Sequence, residues 1–526
     1  MKLRNRDCHV NQTHIGQANR SSKLVPIKEF VAYGGSSSVP VPTYDRSALR
    51  IGMAHIGLGN FHRVHQGTYL EELLHLRADH AQWGILGIEL LEDALARWRA
   101  RAFLSQGKLY SLTSFSPDGE RASRVNGSMV DYLWAPRNVT AVVLALADAA
   151  IRIVTLTITE GGYNLDEHTG EFDLESPEIA SDLRAEHPHT TFGILTAALK
   201  ARRDAGVPPF TIVSCDNLRS NGRTARTATV GYAAAMSSGF ARWIDENVAF
   251  PNSMVDRIAP TVDDAVRGRL NAITGIADDV PVTSETFRQW VLEDIFPTGR
   301  PAWEEVGVQL RGDVAAFESI KGRLLNASHM LLSYPAALAG YEYVWQAASD
   351  PLIAELLDHF MAVDAAPLVS APRDVSLEDY RRTVIARFAN PNVPDTVLRV
   401  AHDGAAKLPI FHRATAEGLL RLAKDVRREA LLLAAFRAYI RGVDQKGASF
   451  DVNEPHLREE DWPLLRSTDP RDALNASPFS AWKLAESQEF VSAYTAAVQT
   501  LESDGVHAAI RQALDQRTHP AHGTVA

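Results

Sequence analysis

The sequence predicts an α/β domain with a parallel sheet, followed by a mostly α-helical domain. Short apolar runs alternate with helix-forming segments up to about residue 215, a pattern typical of parallel strands joined by crossover helices. After about residue 305, long helical patterns dominate, and no convincing strand pair is present. The chain has 526 residues, enough for two large domains that each bury a full core.

The elements follow the apolar pattern along the chain. A buried strand is predicted at 50–57 (RIGMAHIG), where the apolar run ends in glycine, and a helix at 61–76. The other predicted strands are 83–90, 151–159 and 210–215, and the other helices of this half are 91–102, 139–150 and 191–205. The helices predicted for the second half are 314–338, 352–363, 377–388, 414–440 and 487–514.

Composition shifts predict three segments. Residues 1–45 are polar and rich in glycine, serine and proline, which predicts a flexible N-terminal arm. The first domain is predicted at 46–305 and the helical domain at 306–526, with the glycine and proline of 299–301 marking the change.

Charge and cysteine content exclude several classes of protein. The net charge is 54 − 64 = −10, which argues against nucleic acid or an anionic membrane as the main partner. The only cysteines are Cys8 and Cys215, too few for a disulfide framework or a cysteine-rich metal site. The longest apolar candidate, 139–158, carries Asp148 and Arg152, and the N-terminus lacks the apolar region of a secretory signal. We therefore expect a cytoplasmic protein.

A glycine pair follows the first predicted strand. Gly57 and Gly59 would let backbone N–H groups approach a pyrophosphate at the start of a helix. The third glycine of the dinucleotide fingerprint is replaced by His62. The pair therefore predicts either a dinucleotide turn or an ordinary strand-to-helix turn.

Acidic side chains follow the second predicted strand. Glu89, Glu92 and Asp93 lie about 30 residues beyond the glycines. A carboxylate there can accept hydrogen bonds from the ribose hydroxyls of NAD and repel the 2′-phosphate of NADP. A solvated helix start, where acids favour the helix dipole, is an equally good interpretation.

Two further groups of polar residues could carry chemistry. Asn217 follows the strand at 210–215, where side chains face the ligand crevice of a doubly wound sheet, although the residues alone favour a simple Asp-Asn turn. Lys321, Asn326 and His329 fall within an arc of about 140° on a helix and interrupt an apolar segment. Burial lowers the pKa of a lysine toward values where it can act as a base, whereas the alternative is a polar stripe on a surface helix.

Common catalytic motifs are absent from the sequence. It contains no HExxH, no GxxxxGK[ST], no GxSxG and no tyrosine followed four residues later by lysine. A dehydrogenase with this sequence would need no metal and would use Lys321.

Several long stretches resemble the polyol-specific long-chain dehydrogenases, the mannitol dehydrogenase family. The resemblance covers about residues 50–510 and implies a Rossmann-type NAD-binding domain, a helical domain, a site in the cleft between them, no metal, and a monomer. The stretches are AHIGLGNFHRVHQ (54–66), IRIVTLTITEGGYNLD (151–166), FTIVSCDNLRSNG (210–222), FPNSMVDRIAP (250–260), FRQWVLEDIF (287–296), RPAWEEVGVQL (300–310) and KGRLLNASH (321–329).

The resemblance also implies a role for individual residues. Lys321 matches the general acid/base, Asn217 and Asn326 match the amides that stabilise the reacting oxygen, and His329 matches a substrate-orienting histidine. Asp256 and Arg399 match residues that contact the distant substrate hydroxyls, and Glu160 and Glu318 match acids along the proton path. Gly57 and Gly59 match the glycines of the dinucleotide turn. The stretch GIELLEDA departs from the family pattern, because Glu92-Asp93 fits the expected acidic pair only with a one-residue gap.

The predicted reaction is the NAD-dependent oxidation of D-mannitol to D-fructose and its reversal, on a small polyol or ketose. Asp256, Arg399 and a neutral His329 suit an uncharged polyol, since a uronate would need an additional cation. The alternatives are a hexuronate reductase (fructuronate or tagaturonate), a D-arabinitol or sorbitol dehydrogenase, and an NAD-binding sensor without turnover.

Overall fold

A parallel five-stranded sheet organises the N-terminal half of the protein. The computed structural model describes residues 24–166 and 169–515. Its strands are β1 (Val25–Pro26), β2 (Ile51–Ile56), β3 (Gly84–Glu89), β4 (Tyr110–Phe115), β5 (Arg121–Asn126), β6 (Met129–Trp134), β7 (Ile153–Leu156), β8 (Thr211–Ser214), β9 (Ser253–Asp256), β10 (Ile276–Ala277), β11 (Val282–Glu285), β12 (Gln289–Leu292) and β13 (Gln309–Leu310). The five-stranded sheet has the order β6-β3-β2-β7-β8, and all its pairs are parallel.

This strand order determines where a ligand can bind. Numbered within the sheet, the order is 3-2-1-4-5, the doubly wound arrangement in which the topology switches between the first and fourth strands. The switch therefore lies between β2 and β7, and the crevice opens beyond Ile56 and Leu156. Gly57 and Gly59, the glycine pair singled out in the sequence, directly follow β2 at this crevice.

Helices cover both faces of the sheet, as a buried parallel sheet requires. Ile56 and Leu156 pack toward one core, and Met53 and Ile153 pack toward another on the opposite face. The helices of this half are α1 (Ile27–Ala32), α2 (Asn60–Val64), α3 (Gln66–Leu76), α4 (Ala94–Ser105), α5 (Val139–Ala147), α6 (Pro177–Asp182), α7 (Thr191–Asp204), α8 (Asn221–Met236), α9 (Ser238–Asn247) and α10 (Asp264–Thr274).

Three small sheets, which the sequence analysis did not predict, position acidic residues. They have the orders β11-β4-β5, β13-β12-β9 and β1-β10. Asp256 is the last residue of β9 and Glu285 is the last residue of β11. The strands β1, β10 and β13 have only two residues each, and β5 (RASRVN) is polar and partly exposed.

The C-terminal half is helical around one large apolar core, which confirms the predicted fold class. Helix α19 packs against α12 and α22 at the centre of this half. The helices are α11 (Val314–Ile320), α12 (Ala327–Ala339), α13 (Val344–Ala348), α14 (Pro351–His359), α15 (Leu377–Phe388), α16 (Val397–Ala401), α17 (Gly404–Phe411), α18 (Arg413–Arg421), α19 (Arg427–Tyr439), α20 (Asp461–Leu465), α21 (Ser477–Ser480), α22 (Gln488–Ser503) and α23 (Val506–Leu514).

A π-helical turn, Lys321–Asn326, joins α11 to α12. In such a turn the hydrogen bonds run from residue i to residue i+5, and π-turns inside helices are frequently found at functional sites. The single α-helix predicted at 314–338 is therefore three consecutive segments: the π-turn holds Lys321 and Asn326, and His329 lies in the first turn of α12.

The arm is packed where the structure describes it. Val25 and Pro26 pair with β10, Ile27, Val39 and Val41 are buried in a small core, and Tyr44 donates a hydrogen bond to Glu71. Scattered apolar side chains therefore anchor residues 24–45 to the N-terminal half, whereas the polar composition had predicted a flexible or draping arm. Residues 1–23, with Cys8, lie outside the described residues.

The boundaries predicted at 45/46 and 305/306 remain predictions. Among the described helices, none is both long enough and apolar enough to cross a membrane.

Candidate active site

Lys321 begins the π-turn and points into the N-terminal half. Its Nζ donates hydrogen bonds to Asn217 Oδ1 and to the backbone oxygen of Val255, both at 2.7 Å. The residue is only 8% exposed. Two of the three tetrahedral directions of the nitrogen are therefore occupied by acceptors, and the third direction remains for a substrate.

Burial lowers the pKa of Lys321, because the ammonium form loses water that its surroundings do not fully replace. The carboxylates of Asp256 and Glu318 oppose this effect, and the positive charge of Arg387 adds to it. Lys321 is therefore a lysine with an increased fraction of neutral amine, as a general base requires.

One of the two predicted amides contacts this lysine, and the other ends the same π-turn. Asn217 lies just beyond β8 and its Oδ1 accepts from Lys321, which directs its Nδ2 donors elsewhere. Asn326 ends the π-turn five residues after Lys321, and its side chain makes no hydrogen bond within residues 24–166 and 169–515. Both amides therefore have donors available for an oxygen placed near the lysine.

His329 is held as a neutral imidazole. Its ring stacks on Phe388 with centroids 4.0 Å apart and planes 7° from parallel. Burial lowers its pKa to about 3. Its Nε2 is buried without a hydrogen-bond partner in the described chain, so it is a polar atom for which a substrate hydroxyl would be a fitting partner.

Asp256 is already held by a residue that the sequence analysis missed. Arg387 donates from Nη1 to Asp256 Oδ2 and from Nη2 to Oδ1, both at 2.8 Å, and it also donates to Glu285. Asp256 keeps unused lone pairs but is not a free carboxylate. No local pattern indicates Arg387, since its partners lie more than 100 residues away.

Arg399 does not stand alone as a cation. Its guanidinium pairs with Asp395, and its side chain is 58% exposed. Lys407, which the sequence analysis did not single out, lies near Arg399 and Asp403 and donates to the backbone oxygen of His402. Each of these two cations therefore has an aspartate in its vicinity.

The two predicted proton-path acids differ in position. Glu318 lies one turn before Lys321, accepts from the backbone N–H of Ser220 at 3.0 Å, and has its pKa raised by burial. Glu160 is exposed in the short helical turn Glu160–Tyr163, on the loop after β7.

Asp216, the neighbour of Asn217, ties together the loops after β7 and β8. Its carboxylate accepts from the backbone N–H groups of Ile158 and Thr159 and from the hydroxyl of Tyr163. The Asp-Asn pair was interpreted from sequence as a simple turn. Its position directly after a strand was the available signal, but the partners on another loop were not predictable.

A cavity of about 910 Å³ opens at the topological switch, within the size range of ligand sites. Gly57 has φ +90°, and a Cβ there would meet the backbone oxygen of Thr157 at 2.1 Å. A Cβ on Gly59 would have no neighbour closer than 3.9 Å, so the backbone is open to a ligand there. His62, at the position of the third glycine, stacks on His55 of β2 with centroids 3.5 Å apart. These features fit a dinucleotide.

The acids near the cavity have separate roles. Glu89, the last residue of β3, lines the cavity and accepts from Arg99 Nη2 at 2.7 Å. Glu92 also lines the cavity. Asp93 does not line it and instead accepts from the backbone N–H of Ala96 as the N-cap of α4. Contact of Asp93 with the cofactor stays a prediction, and the helix start already uses one oxygen of its carboxylate.

Within the described part of the chain, no three or more histidine, cysteine, aspartate or glutamate side chains are grouped to hold a metal ion.

Two family models match nearly the whole folded chain. The mannitol dehydrogenase Rossmann domain matches residues 51–305, and the mannitol dehydrogenase C-terminal domain matches residues 313–502.

Individual relatives agree with this assignment. The polyol:NADP oxidoreductase of Gluconobacter oxydans is 42% identical, over 90% of this chain and 97% of the relative. The structure of Pseudomonas fluorescens mannitol 2-dehydrogenase with NAD and D-mannitol is 37% identical, with a TM-score of 0.85 over 94% of this chain and 99% of the other. A substrate-free D-sorbitol dehydrogenase is 41% identical, with a TM-score of 0.84 over 90% and 98% of the two chains. The chain therefore belongs to the mannitol dehydrogenase family.

Proposed function

We propose that this protein catalyses the NAD-dependent oxidation of D-mannitol to D-fructose and the reverse reduction. The observation that carries the proposal is Lys321, buried beside the open end of the sheet with two hydrogen bonds that fix its nitrogen. The similarity to a mannitol 2-dehydrogenase solved with NAD and D-mannitol supports the choice of substrate and cofactor.

Lys321 is arranged to move a proton in both directions. A neutral amine has two N–H donors, and the oxygens of Asn217 and Val255 accept both. The nitrogen lone pair then points in the remaining direction and can take the proton of a substrate hydroxyl. In the reverse reaction the ammonium form presents its third N–H there and returns the proton.

The amides would stabilise the substrate oxygen as it loses its proton. Asn217 accepts through its oxygen, so its Nδ2 is the group left to donate. Asn326 supplies a second donor from the other end of the π-turn. Donors fixed before the reaction stabilise developing charge more than mobile water does.

The dinucleotide would lie along the cavity at the switch point. Gly57 allows the close approach of the backbone to Thr157, Gly59 leaves the backbone open to the pyrophosphate, and Glu89 and Glu92 line the same cavity. When bound, NAD accepts hydride from the carbon that carries the reacting hydroxyl. The protein supplies the position, the proton transfer and the charge stabilisation.

Charge balance favours a neutral substrate over a hexuronate. Arg387 lies between Asp256 and Glu285, and Arg399 pairs with Asp395. Both arginines are therefore already paired and do not offer a free positive charge to a substrate carboxylate. Burying an unpaired carboxylate costs free energy. This argument supports mannitol and fructose over fructuronate.

A sorbitol or broader polyol activity is the second candidate. It is favoured by the identity to a D-sorbitol dehydrogenase and to a polyol:NADP oxidoreductase. The sensor alternative is weaker, because a protein that only binds NAD has no use for a lysine poised beside two amides.

Steady-state kinetics on the purified protein tests the proposal. We expect the highest kcat/KM for mannitol with NAD, above sorbitol and D-arabinitol, and a higher value for fructose than for fructuronate with NADH. A preference for sorbitol or fructuronate would replace the substrate and leave the roles of Lys321 and the amides unchanged. NAD binding without turnover of any of these substrates would support the sensor.

A monomeric state and a cytoplasmic location complete the proposal. Both follow from the sequence and its resemblance to the family. Sedimentation at micromolar concentration tests the first, and cell fractionation tests the second.

A further inference from the structure

Arg387 reaches from α15 of the helical half to two carboxylates of the N-terminal half. It makes a two-pronged contact with Asp256 at 2.8 and 2.8 Å, and another with Glu285 at 2.8 and 2.7 Å. All three side chains are at most 4% exposed. Paired contacts of this kind combine strength with a fixed geometry.

This cluster is connected to the lysine through one strand end. Val255, whose oxygen accepts from Lys321, directly precedes Asp256 in β9. Glu285 also accepts from the backbone N–H of Ile258 at 2.6 Å, which fixes the chain just beyond that strand. The hydrogen bonds of Arg387 to Asp256 therefore also fix the backbone oxygen of Val255, which is one of the two acceptors that orient Lys321.

We propose that Arg387, held in place by Glu285, is a positioning residue that offsets the charge of Asp256, so that Lys321 can give up and regain its proton during turnover. The inference rests on the proposed function. The buried carboxylate of Asp256 favours the ammonium form of Lys321, and Arg387 opposes that effect. Glu285 acts through Arg387, to which it is bound.

The other groups around the lysine do not take over this task. Glu318 faces Lys321 from α11 and adds negative charge. His65 lies near Asp256, but burial lowers its pKa to about 3 and keeps it neutral. Tyr380 lies near the cluster on α15, and burial raises the pKa of its hydroxyl, so it is neutral too. Arg387 is the cation that bears on both Lys321 and Asp256 among the described residues.

Two substitutions should move the pH dependence in opposite directions. Mannitol oxidation needs neutral Lys321, so kcat/KM rises with pH to a plateau. Arg387→Met removes a positive charge, favours the ammonium form, and should move the midpoint to higher pH by about one pH unit. Glu285→Gln removes a negative charge beside Arg387, which favours the neutral form of Lys321. It should therefore move the midpoint to lower pH. The falling profile of fructose reduction should shift by the same amount in each variant.

Arg387→Lys separates charge from geometry. It keeps the positive charge, so the midpoint should stay near that of the unmodified protein. A single ammonium cannot grip both carboxylates in two-pronged fashion, so KM for mannitol should rise several-fold. If Arg387→Met does not fold because Asp256 and Glu285 have lost their buried partner, the shift of the midpoint in Glu285→Gln provides the measurement.

The matched control is Arg428→Met. Arg428 is equally buried and pairs with Asp364 at 2.8 Å in the same half, but it does not bear on Lys321. It should lose a similar amount of stability without a shift of the midpoint.

Unshifted midpoints in Arg387→Met and Glu285→Gln, or a shift as large in the control, would overturn the inference. Failure of the proposed function looks different, because the unmodified protein would then turn over no polyol at all.

Discussion

Lys321 is the residue whose replacement tests the chemistry most directly. Lys321→Ala removes the only amine that both Asn217 and Val255 hold. General acid–base catalysis contributes about 10²–10⁴-fold, so kcat for mannitol oxidation should fall at least that far. NADH binding, followed by fluorescence titration, should persist because the dinucleotide cavity does not include this residue.

Lys200→Ala is the control for this change. Lys200 is a half-exposed lysine that pairs with Asp204 on α7, and its loss should leave kcat unaltered. Activity of Lys321→Ala within tenfold of the unmodified protein would refute the assignment of the base.

Glu89 should determine the choice between NAD and NADP. It lines the cavity at the end of β3, where a carboxylate lies beside the ribose 2′ position. Glu89→Gln removes the negative charge but leaves Arg99 in place, so the ratio of kcat/KM for NADP to that for NAD should rise about tenfold or more.

Asp93→Asn provides the comparison for Glu89. Asparagine caps a helix about as well as aspartate, so both the stability and the cofactor ratio should stay close to those of the unmodified protein. An equal effect of the two substitutions would show that the overall negative charge near the start of α4, rather than the carboxylate of Glu89, selects the cofactor.

The sequence indicated the active residues that lie close together along the chain. Lys321, Asn326 and His329 share one helical segment, and their polarity contrasts with its apolar surroundings. Arg387 and Glu285 gave no such signal, because each acts through a partner more than 100 residues away. A buried arginine has no local sequence pattern that distinguishes it from a solvated one.

At the scale of elements, Asp216 holds the loops that follow β7 and β8. Asp216→Asn replaces one acceptor oxygen with a donor that faces the N–H groups of Ile158 and Thr159. Unfolding in urea should show a loss of about 1–3 kcal/mol. Amide hydrogen exchange at 158 and 159 should accelerate, and KM for NAD should rise.

Asp263→Asn is the control for that loop. Asp263 accepts from the backbone N–H of Val266 as the N-cap of α10, a task that asparagine performs equally well. Unchanged exchange at 158 and 159 in Asp216→Asn would mean that other contacts hold the loop.

The elements predicted from sequence were those with a strong apolar signal. The strands of the central sheet other than β6 were predicted, since they are nearly continuous apolar runs. The short and polar strands of the small sheets were missed. Three predicted helices are interrupted at a single backbone position: at His65, with φ −109° and ψ −89°, between α18 and α19, where Ala423 has φ +48°, and at Gly505, with φ +83°. Helix-forming composition does not reveal such breaks.

At the scale of the whole molecule, we expect catalysis without a metal ion. Lys321 and the two amides supply the proton transfer and the charge stabilisation that a metal would otherwise provide. Activity should therefore survive exhaustive treatment with EDTA, measured as kcat for mannitol oxidation before and after dialysis. Loss of activity that zinc restores would contradict this mechanism.

The lysine and its partners come from opposite halves of the chain. Lys321 and Arg387 belong to the helical half, whereas Asn217, Val255 and Asp256 belong to the N-terminal half. Any widening of the gap between the halves would break the contacts of both cations at once. An open molecule could then exchange substrate and product but could not transfer a proton. Substrate exchange and proton transfer would therefore take place in different conformations, one after the other.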